Sequence, residues 1–474
     1  MLVLEIVSLR LVAPYVGITL QTNSAVIGVA LAAIAAGAWT GGRLADDANP
    51  RRLVPATLVV AGVLTMLTLP LVRVLGPQMQ SSDPLTATSL AFVGVFAPAA
   101  CLAAVTPMVV KLQLRDLGRT GTIVGRLSGI GTLGAILATF VTGFVLVATL
   151  TSSVIVIGLG LLTLVIGLAL AVAPGSAWQP PVGLVLLGVL GTGLTWIVPS
   201  PCQSETAYHC ARVVADPART SGRYLVLDTL LHSYVDLSDP AYLQFPYVQA
   251  IASVADVARP SGQPIRALHI GGGGLTLPRY LAATRPGTQD RVLEIDGGII
   301  ALDRARLGLG DLPGLTIDVG DARVGLRSEA TGGRDLIVGD AFGGLAVPWH
   351  LTTREVVQEL RRILRPDGIY AVNVIDFPPD RFVRAEVATI ASVFPEVAIV
   401  ADRSSLDGGG GGNFVIVASA SPLPLAALRD RLDQRGSSLE VGAADVAARF
   451  AAGATVLTDD DAPVDQLLSR PSAR

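Results

Sequence analysis

Seven long apolar stretches in the first 200 residues constrain the fold of this chain more than any other feature. They lie at residues 1–20, 24–44, 53–76, 86–110, 124–148, 152–173 and 182–198. A helix of about 20 apolar residues crosses a hydrocarbon core of about 30 Å, and most of the stretches reach that length. The sequence therefore predicts a helical membrane domain with six to seven spans over residues 1–200.

The distribution of charge supports a division into two parts. Residues 1–198 contain nine Lys/Arg and five Asp/Glu, and the rest of the chain contains 26 and 33. The mean hydropathy of +0.58 is high for a soluble protein. No basic patch typical of nucleic-acid binding is present, so no nucleic-acid partner is expected. The three Cys form no CxxC pair, which excludes the common zinc and redox motifs.

Small and charged residues within the stretches need separate explanations. Close helix packing, rather than a ligand site, is the predicted role of Gly37, Gly41 and Gly42. Glu5 and Arg10 lie in the first stretch, where charges are costly and usually face a partner or the bundle interior. The alternative is that the sequence begins downstream of the true start, so that part of this span is missing. A cleaved signal peptide is not expected, because no basic region precedes the apolar run.

Two basic loops indicate the orientation of the spans. They contain Arg43, Arg51 and Arg52 after the second stretch, and Lys111, Arg115 and Arg119 after the fourth. The positive-inside rule places both loops in the cytoplasm. Seven spans would then put the C-terminal part outside. Six spans would instead move one of the two ends of the chain to the other side of the membrane. Cys202 and Cys210 follow the last span and could form a disulfide outside, or remain two unpaired thiols.

Short apolar strands alternate with helices in the second half of the chain. A small β region is predicted between 203 and 250, followed by a helix around 241–258. The later strands are predicted at 266–270, 291–295, 315–319, 335–339, 368–375, 396–401 and 413–419, and the helices at 275–284, 297–307, 353–364, 380–393 and 423–434. This alternation predicts a mostly parallel, Rossmann-like sheet covered on both faces. The predicted domains are residues 1–200, 201–262 (β region and linking helix) and 263–474.

A glycine-rich loop, Gly271–Gly274, follows the first strand of this Rossmann-like domain. Glycines let the backbone approach a ligand closely, and the next helix offers unpaired N–H donors at its start. Glu294 and Asp296 end the next strand, about 20 residues further on, where an acid can accept hydrogen bonds from a ribose. The pattern predicts a nucleoside site, and a tight turn without a ligand is the alternative.

Acids also end the two following strands. Asp321 follows the third strand and Asp340 follows the fourth. Ligands of parallel sheets bind at the carboxyl ends of the strands, so these acids and Glu294 are predicted to face one site. Each of them has an alternative explanation as a turn or helix-capping residue.

These residues together resemble the spermidine synthase (polyamine aminopropyltransferase) family. The whole chain resembles its bacterial branch, in which a multispanning membrane region precedes the enzyme-like domain. The motifs that carry the resemblance are Gly271–Gly274, Leu293–Asp296, Gly320–Arg323, Asp335–Asp340 and Leu457–Asp465. The resemblance implies a small β domain followed by a methyltransferase-type Rossmann domain. It also implies transfer of an aminopropyl group from decarboxylated S-adenosylmethionine to putrescine, without a metal.

The resemblance also implies roles for individual residues. The nucleoside would be bound by Gly271, Gly272 and Gly273, its ribose by Glu294, and its adenine by Asp321 and Ala322. Asp340 matches the catalytic acid that deprotonates or orients the attacking amine. Tyr208 and His209 stand where the family has a Tyr-Gln pair in its β domain. His350 is a further candidate acid or base, with capping of the next helix as the alternative.

Two departures from the family pattern affect the predicted chemistry. The family has an Asp after its three glycines, where this chain has Gly274, and a second acid in its catalytic loop, where this chain has Gly343. Both acids would hold cationic amines. Three functions are therefore considered: aminopropyl transfer to a polyamine such as putrescine, methyl transfer from S-adenosylmethionine, and a transporter or sensor with a relict nucleoside-binding domain. The expected partners are the lipid bilayer of a bacterial plasma membrane and a small amine, and a homodimer is left open.

Overall fold

The computed structural model describes residues 1–80, 83–114, 116–173 and 178–469, so Arg115 of the second basic loop lies outside the described residues. Contacts within the chain separate it into two units. The first comprises Met1–Arg212 and Leu227–Thr229, and the second comprises Val213–Val226 and Leu230–Arg474. The first unit is mainly helical, and the second is α/β.

Long apolar helices dominate the first unit. They are α1 (Leu2–Val16), α2 (Leu20–Asp47), α3 (Pro50–Leu75), α4 (Pro84–Ala91), α5 (Ala97–Gln113), α6 (Thr120–Val141), α7 (Val147–Thr149), α8 (Ser152–Val172) and α9 (Val182–Ile197). Short π-helical segments join α4 to α5 and α6 to α7. Five helices in the described part of the chain are long and apolar enough to cross a membrane, namely Leu20–Asp47, Pro50–Gln78, Pro84–Gln113, Thr120–Thr149 and Ser152–Val172. The helical class predicted for this part is confirmed, and α1 and α9 are shorter than these five.

Glycines allow two pairs of these helices to pack with their backbones in contact. A Cβ atom on Gly37 or Gly41 of α2 would lie 2.1 or 2.5 Å from a carbonyl oxygen of α5. A Cβ on Gly62 of α3 would lie 2.6 Å from a backbone nitrogen of α8. The predicted packing role is confirmed for Gly37 and Gly41. Gly42 has room for a side chain, because the nearest atom to its Cβ position is 4.0 Å away.

Charged residues of the first unit have partners within it. Arg10, the unusual cation of the first apolar stretch, donates a hydrogen bond to the carbonyl oxygen of Thr206. Arg73 Nη2 lies 3.7 Å from Glu205 Oε1, and Ser153 donates to the same carboxylate through its backbone nitrogen at 3.0 Å. These contacts explain how the cations are tolerated beside apolar helices.

Cys202 and Cys210 form a disulfide, with their Cα atoms 5.0 Å apart. Of the two alternatives left open by the sequence, the structure therefore has the bonded one. Cys101, in α5, is a free cysteine. Disulfides persist in oxidising compartments and are rare in the cytosol.

A four-stranded sheet comes next in the chain. Its strands, in order, are β1 (Ser204–Glu205), β2 (Cys210–Ala215), β3 (Gly222–Leu227) and β4 (Leu230–Asp236). Helix α10 (Pro246–Ala258) follows it, close to the helix predicted around 241–258. Eight of the 13 residues of α10 are buried, including Ile251 and Val254, because the helix packs against both the large sheet and neighbouring helices.

The large sheet of the second unit has eight strands in the order β12-β10-β11-β9-β8-β5-β6-β7. The strands are β5 (Arg266–Ile270), β6 (Gln289–Glu294), β7 (Leu315–Val319), β8 (Arg334–Gly339), β9 (Leu364–Asp376), β10 (Glu396–Ala401), β11 (Gly412–Ser419) and β12 (Glu440–Gly442). The helices are α11 (Thr276–Thr284), α12 (Gly297–Arg306), α13 (Ala322–Leu326), α14 (Arg354–Ile363), α15 (Arg381–Ala391), α16 (Arg403–Leu406), α17 (Leu425–Gln434), α18 (Ala444–Ala451) and α19 (Val464–Leu467).

The predicted strand and helix positions agree with these elements to within a few residues, but the sheet is not entirely parallel. Strands β5 to β9 pair in parallel, whereas β11 pairs antiparallel with both β9 and β10, and β12 pairs antiparallel with β10. Because β10 is antiparallel to β11, it runs in the same direction as β5 to β9, so the prediction of a mostly parallel sheet is confirmed and only β11 and β12 run the opposite way. A connection of a dozen or more residues is needed for a parallel crossover, and the short segment between β10 and β11 favours a return in the opposite direction.

The parallel half of the sheet positions the site. From β5 the chain moves outward to β6 and β7, then returns to form β8 on the other side of β5. The loops after β5 and β8 therefore leave the sheet in opposite directions and open a crevice at its carboxyl edge. Ligands of such sheets bind at this topological switch point.

The disulfide gives a direct prediction for the native chain. If cells are lysed in N-ethylmaleimide and the protein is then denatured without reductant, we expect one thiol to be alkylated, that of Cys101. Reduction before alkylation should give three modified cysteines by intact-mass spectrometry. Three modified cysteines without prior reduction would show that Cys202 and Cys210 are not bonded in the cell.

Candidate functional site

The glycine loop after β5 is held against the loop after β8. Gly271 has a φ of +99°, and a Cβ there would lie 2.3 Å from the carbonyl oxygen of Asp340. The backbone nitrogen of Asp340 donates to the carbonyl oxygen of Ile270 at 2.8 Å. A side chain at residue 271 would therefore push the two loops apart. At Gly273, by contrast, the nearest atom to a Cβ would be 3.5 Å away.

Glu294 lies at the end of β6 and binds the glycine loop directly. Its Oε2 accepts a hydrogen bond from the backbone nitrogen of Gly272 at 2.6 Å. Its Oε1 accepts one from the backbone nitrogen of Asp296 at 2.8 Å. These bonds fix the carboxylate beside the loop, at the position predicted for a ribose ligand. Asp296 itself caps α12 by accepting from the backbone nitrogen of Gly298 at 3.0 Å.

Asp321 and Ala322 lie at the end of β7, on the same edge of the sheet. Asp321 caps the short helix α13 by accepting from the backbone nitrogen of Arg323 at 2.8 Å. Its Oδ2 also lies 3.5 Å from His350 Nε2. His350 belongs to a 3₁₀ turn, and the N-cap position of α14 is Thr353, so the helix-capping alternative for His350 is wrong.

The C-terminal acidic motif supports the loop after β7. Asp459 pairs with Arg323 and accepts a hydrogen bond from Thr353 Oγ1 at 2.7 Å. Arg323 in turn donates to the carbonyl oxygen of His350 at 3.0 Å. The motif at Leu457–Asp465 thus connects the loop after β7 to the start of α14, although it is more than 100 residues away in sequence.

Asp340 is the carboxylate at the end of β8, next to the glycine loop. Asn373 Nδ2 donates to its Oδ1 at 2.9 Å, and the hydroxyl of Tyr247 forms a second hydrogen bond with it. Asn373 is held by Asn413, which donates to its Oδ1 at 2.9 Å. Burial raises the pKa of Asp340 to about 6, and the hydrogen bonds from Asn373 and Tyr247 oppose that rise. A carboxyl group with such a pKa can exchange a proton near neutral pH.

Two cavities of the second unit meet at Asp340. The smaller, of about 40 Å³, is lined by the glycine loop, His269 and the start of α11. The larger, of about 190 Å³, extends away from the loop and is lined mainly by apolar side chains. Asp340, Tyr247 and His232 line both cavities. The carboxylate is therefore placed between the predicted nucleoside-binding loop and a separate apolar cavity.

Gly274 is held by hydrogen bonds to the side chains of Asp303 and Arg279. Its backbone nitrogen donates to Asp303 Oδ2 at 3.1 Å, and its carbonyl oxygen accepts from Arg279 Nε at 3.0 Å. It has a φ of +73°, and a Cβ would lie 2.4 Å from Ser233 Oγ. Burial raises the pKa of Asp303 to about 8. The family's Asp at this position would not fit without a change in the loop.

Tyr208 and His209 lie in the first unit, in the turn before β2. His209 Nδ1 is 3.0 Å from Asp228 Oδ2, and both predicted residues line a cavity of about 30 Å³ together with Arg10 and Glu205. Neither lines the two cavities at Asp340. Within the described residues, no group of three or more His, Cys, Asp or Glu is placed to hold a metal ion.

Sequence reasoning missed several residues around Asp340. Asn373 had a usable signal, because it is a polar residue inside the apolar run Tyr370–Ile375 of β9 and is 1% exposed. Tyr247, His232 and Asn413 had none, because each approaches Asp340 or Asn373 from an element distant in sequence. Their places depend on the three-dimensional pairing of α10, β4 and β11 around the loop after β8.

Comparisons with known proteins agree with the family resemblance that the sequence motifs indicate. No family model matches the chain. The polyamine aminopropyltransferase of Vibrio vulnificus is 31% identical over 157 residues, which are 32% of this chain and 50% of that protein. The polyamine aminopropyltransferase of Chromobacterium violaceum is 28% identical over 146 residues, 30% of this chain and 54% of that protein. The chain thus spans about half the length of the curated relatives it matches.

A solved structure extends the similarity over a longer range. The crystal structure of a probable spermidine synthase from Corynebacterium glutamicum is 27% identical and has a TM-score of 0.50. The match covers 57% of this chain and 97% of that one. The resemblance seen in the sequence motifs is therefore confirmed, and the α/β part of this chain is spermidine synthase-like.

Proposed function

We propose that this chain is a transferase that moves an aminopropyl group from decarboxylated S-adenosylmethionine to an amine. The observation that carries the proposal is the position of Asp340, which lines both the glycine-loop cavity and the apolar cavity. A donor nucleoside on one side and an amine on the other would meet at this carboxylate. A polyamine such as putrescine is the acceptor that the family resemblance implies.

The donor would be held along the carboxyl edge of the sheet. The backbone of Gly271, Gly272 and Gly273 would approach the nucleoside, Glu294 would accept hydrogen bonds from its ribose, and Asp321 with Ala322 would contact its adenine. Support comes from the strand order β8-β5-β6-β7, which brings these loops to one edge. Charge-assisted hydrogen bonds to a fixed carboxylate are stronger than neutral ones, so Glu294 would dominate recognition of the ribose.

The reaction needs a proton acceptor beside the amine. The amine nitrogen attacks the carbon next to the sulfonium, a C–N bond forms, and the C–S bond breaks. The sulfonium sulfur keeps the bonding electron pair and leaves as the thioether of methylthioadenosine. The proton lost by the amine passes to Asp340, whose pKa of about 6 suits this exchange near neutral pH.

Methyl transfer from S-adenosylmethionine is the second candidate, and Gly274 is the observation that favours it. The glycine loop carries no acid at the position where the family would bind the donor's amine, and Gly274 has no room for one. Calorimetry with decarboxylated S-adenosylmethionine, S-adenosylmethionine and methylthioadenosine separates the two donors. Binding of none of them would contradict both candidates and leave the relict-domain hypothesis.

We also propose that the first unit lies in a bacterial plasma membrane and that the chain leaves it on the outer side. The positive-inside rule places the loops at Arg43–Arg52 and around Lys111 in the cytoplasm. From the second of these loops, α6–α7 would cross the membrane outward and α8 would cross it back to the cytoplasm. Helix α9 then decides the side. Its 16 residues would span about 24 Å at 1.5 Å per residue, slightly less than a typical core. The Cys202–Cys210 disulfide directly after α9 supports the outer side.

Glu294→Gln should weaken nucleoside binding. The substitution removes the charge and leaves one carbonyl oxygen where Glu294 has two oxygens that accept hydrogen bonds, one from Gly272 in the loop and one from Asp296. Loss of a charged hydrogen bond corresponds to roughly a tenfold to hundredfold rise in the dissociation constant. Calorimetry with methylthioadenosine measures this. The control is Glu440→Gln, a surface carboxylate paired with Arg403 in the same sheet, for which no change is expected.

Asp340→Asn should abolish transfer while leaving nucleoside binding within about twofold, because Asn cannot accept the proton. In the unmodified chain, kcat/KM should fall about tenfold per pH unit below about 6, since only the ionised carboxylate is a base.

Asn373→Ala provides the matched test of that assignment. It removes a hydrogen bond that lowers the pKa of Asp340, so the inflection in kcat/KM should move to higher pH. The acceptor amine is the same in both profiles, so its own titration cannot cause the difference. An unchanged inflection, or activity retained in Asp340→Asn, would remove Asp340 from the mechanism.

A reporter at the C-terminus tests the membrane proposal. We expect a fused alkaline phosphatase to be active and a fused green fluorescent protein to be dark, because the end of the chain would lie outside. An outer position would require the donor to be exported, since adenosyl donors are made in the cytosol. The opposite pattern of reporter activity would mean that α9 does not cross.

A further inference from the structure

We infer that the cavity beyond Asp340 binds an acceptor with one amino group on an apolar body, and that it disfavours a diamine. The inference rests on the proposed function for the type of reaction. The preference for one amino group follows from the residues that line the cavity. The cavity belongs entirely to the second unit and has a volume of about 190 Å³.

The walls of this cavity are apolar away from Asp340. They include Leu230, Leu231, Phe245, Phe342, Leu345 and Ile375. Among the described residues that line it, Asp340 is the only carboxylate. An ammonium group is costly to bury unless it is paired and hydrogen-bonded. A diamine in the cavity would place its second ammonium against these apolar walls.

The polar groups of the cavity gather at the Asp340 end. Asn373 and Tyr247 both donate to the Asp340 carboxylate, and Asn413 donates to Asn373. Together they orient the Asp340 carboxylate, which is a single proton acceptor. One amino group can lie beside it. The rest of the molecule would then extend along the apolar walls, where burial of each CH₂ group is favourable.

Gly343 supports the same conclusion. The family's second acid occupies this position, yet Gly343 is exposed and the nearest atom to its Cβ position is 4.0 Å away. Its φ is not among the positive values of the backbone. Neither space nor backbone conformation therefore excludes an Asp at residue 343. Gly274 differs in this respect, because its φ is +73° and a Cβ there would lie 2.4 Å from Ser233 Oγ.

The size of the cavity sets the scale of the acceptor. Its volume of about 190 Å³ is more than tenfold the roughly 10–15 Å³ that one water molecule needs on a comparable measure, so the cavity can admit a small organic amine. Putrescine and n-pentylamine are suitable probes, because they have the same number of non-hydrogen atoms. They differ in that a methyl group replaces the second ammonium.

The experiment compares these two amines as acceptors for the solubilised full-length chain with decarboxylated S-adenosylmethionine. Release of methylthioadenosine gives kcat/KM for each. We expect the value for n-pentylamine to exceed that for putrescine by at least about tenfold, the equivalent of about 1.4 kcal/mol. Equal values, or a preference for putrescine, would overturn the inference.

A charge placed in the wall provides the matched variant. Leu231 lines the cavity and is 60% exposed, so a polar residue there should not disturb folding. Leu231→Asp should shift the ratio toward putrescine by up to about fivefold, as expected for a partly exposed ion pair. Leu231→Asn has nearly the same shape without the charge and should not produce that shift. Equal effects of the two variants would mean that charge in the cavity does not select the acceptor.

Binding measurements separate this inference from the proposed function. Calorimetry with each amine in the presence of methylthioadenosine needs no turnover. If no transfer occurs but n-pentylamine binds at least about tenfold more tightly than putrescine, the proposed reaction fails and the inference about the cavity stands. If neither amine binds, or if putrescine binds more tightly, the inference is wrong whatever the reaction.

Discussion

The contact between the loops after β5 and β8 is the constraint on which the rest of the site depends. The carbonyl oxygen of Asp340 lies 2.3 Å from the point that a Cβ on Gly271 would occupy, so the loops can meet only because residue 271 has no side chain. This contact places the Asp340 carboxylate beside the predicted nucleoside loop. Glu294, at the end of the next strand, then holds that loop by accepting a hydrogen bond from Gly272. The predicted nucleoside loop and the titratable carboxyl group of Asp340 therefore lie in one crevice.

The antiparallel half of the sheet contributes to this arrangement as well. Strand β11 inserts between β9 and β10 and pairs with β9 in a register that sets Asn413 opposite Ile375. Asn413 thereby reaches Asn373, and Asn373 reaches Asp340. The hydrogen bond from the Asn373 amide partly offsets the effect of burial on the Asp340 carboxylate, whose pKa is raised to about 6. A fully parallel sheet with the same strands at its centre would not deliver Asn413 to this position.

The sequence predicted the parts of the fold that depend on local patterns. Apolar runs located β5 to β11, and the carboxyl-end rule brought Glu294, Asp321 and Asp340 to one edge. It could not predict the contacts made between distant elements, such as Tyr247 with Asp340, or Asp303 with Gly274. The direction of β11 was also missed, because an apolar run has no polarity. Tyr208 and His209 were chosen by resemblance alone, and they line a different cavity.

The central claim is that a donor nucleoside and an amine bind on either side of Asp340 and react beside its carboxylate. The most direct measurement is mass spectrometry of the products formed by the full-length chain from decarboxylated S-adenosylmethionine and an amine. The account predicts methylthioadenosine and an aminopropylated amine in equal amounts. A methylated product formed only from S-adenosylmethionine, or no product from either donor, would contradict it.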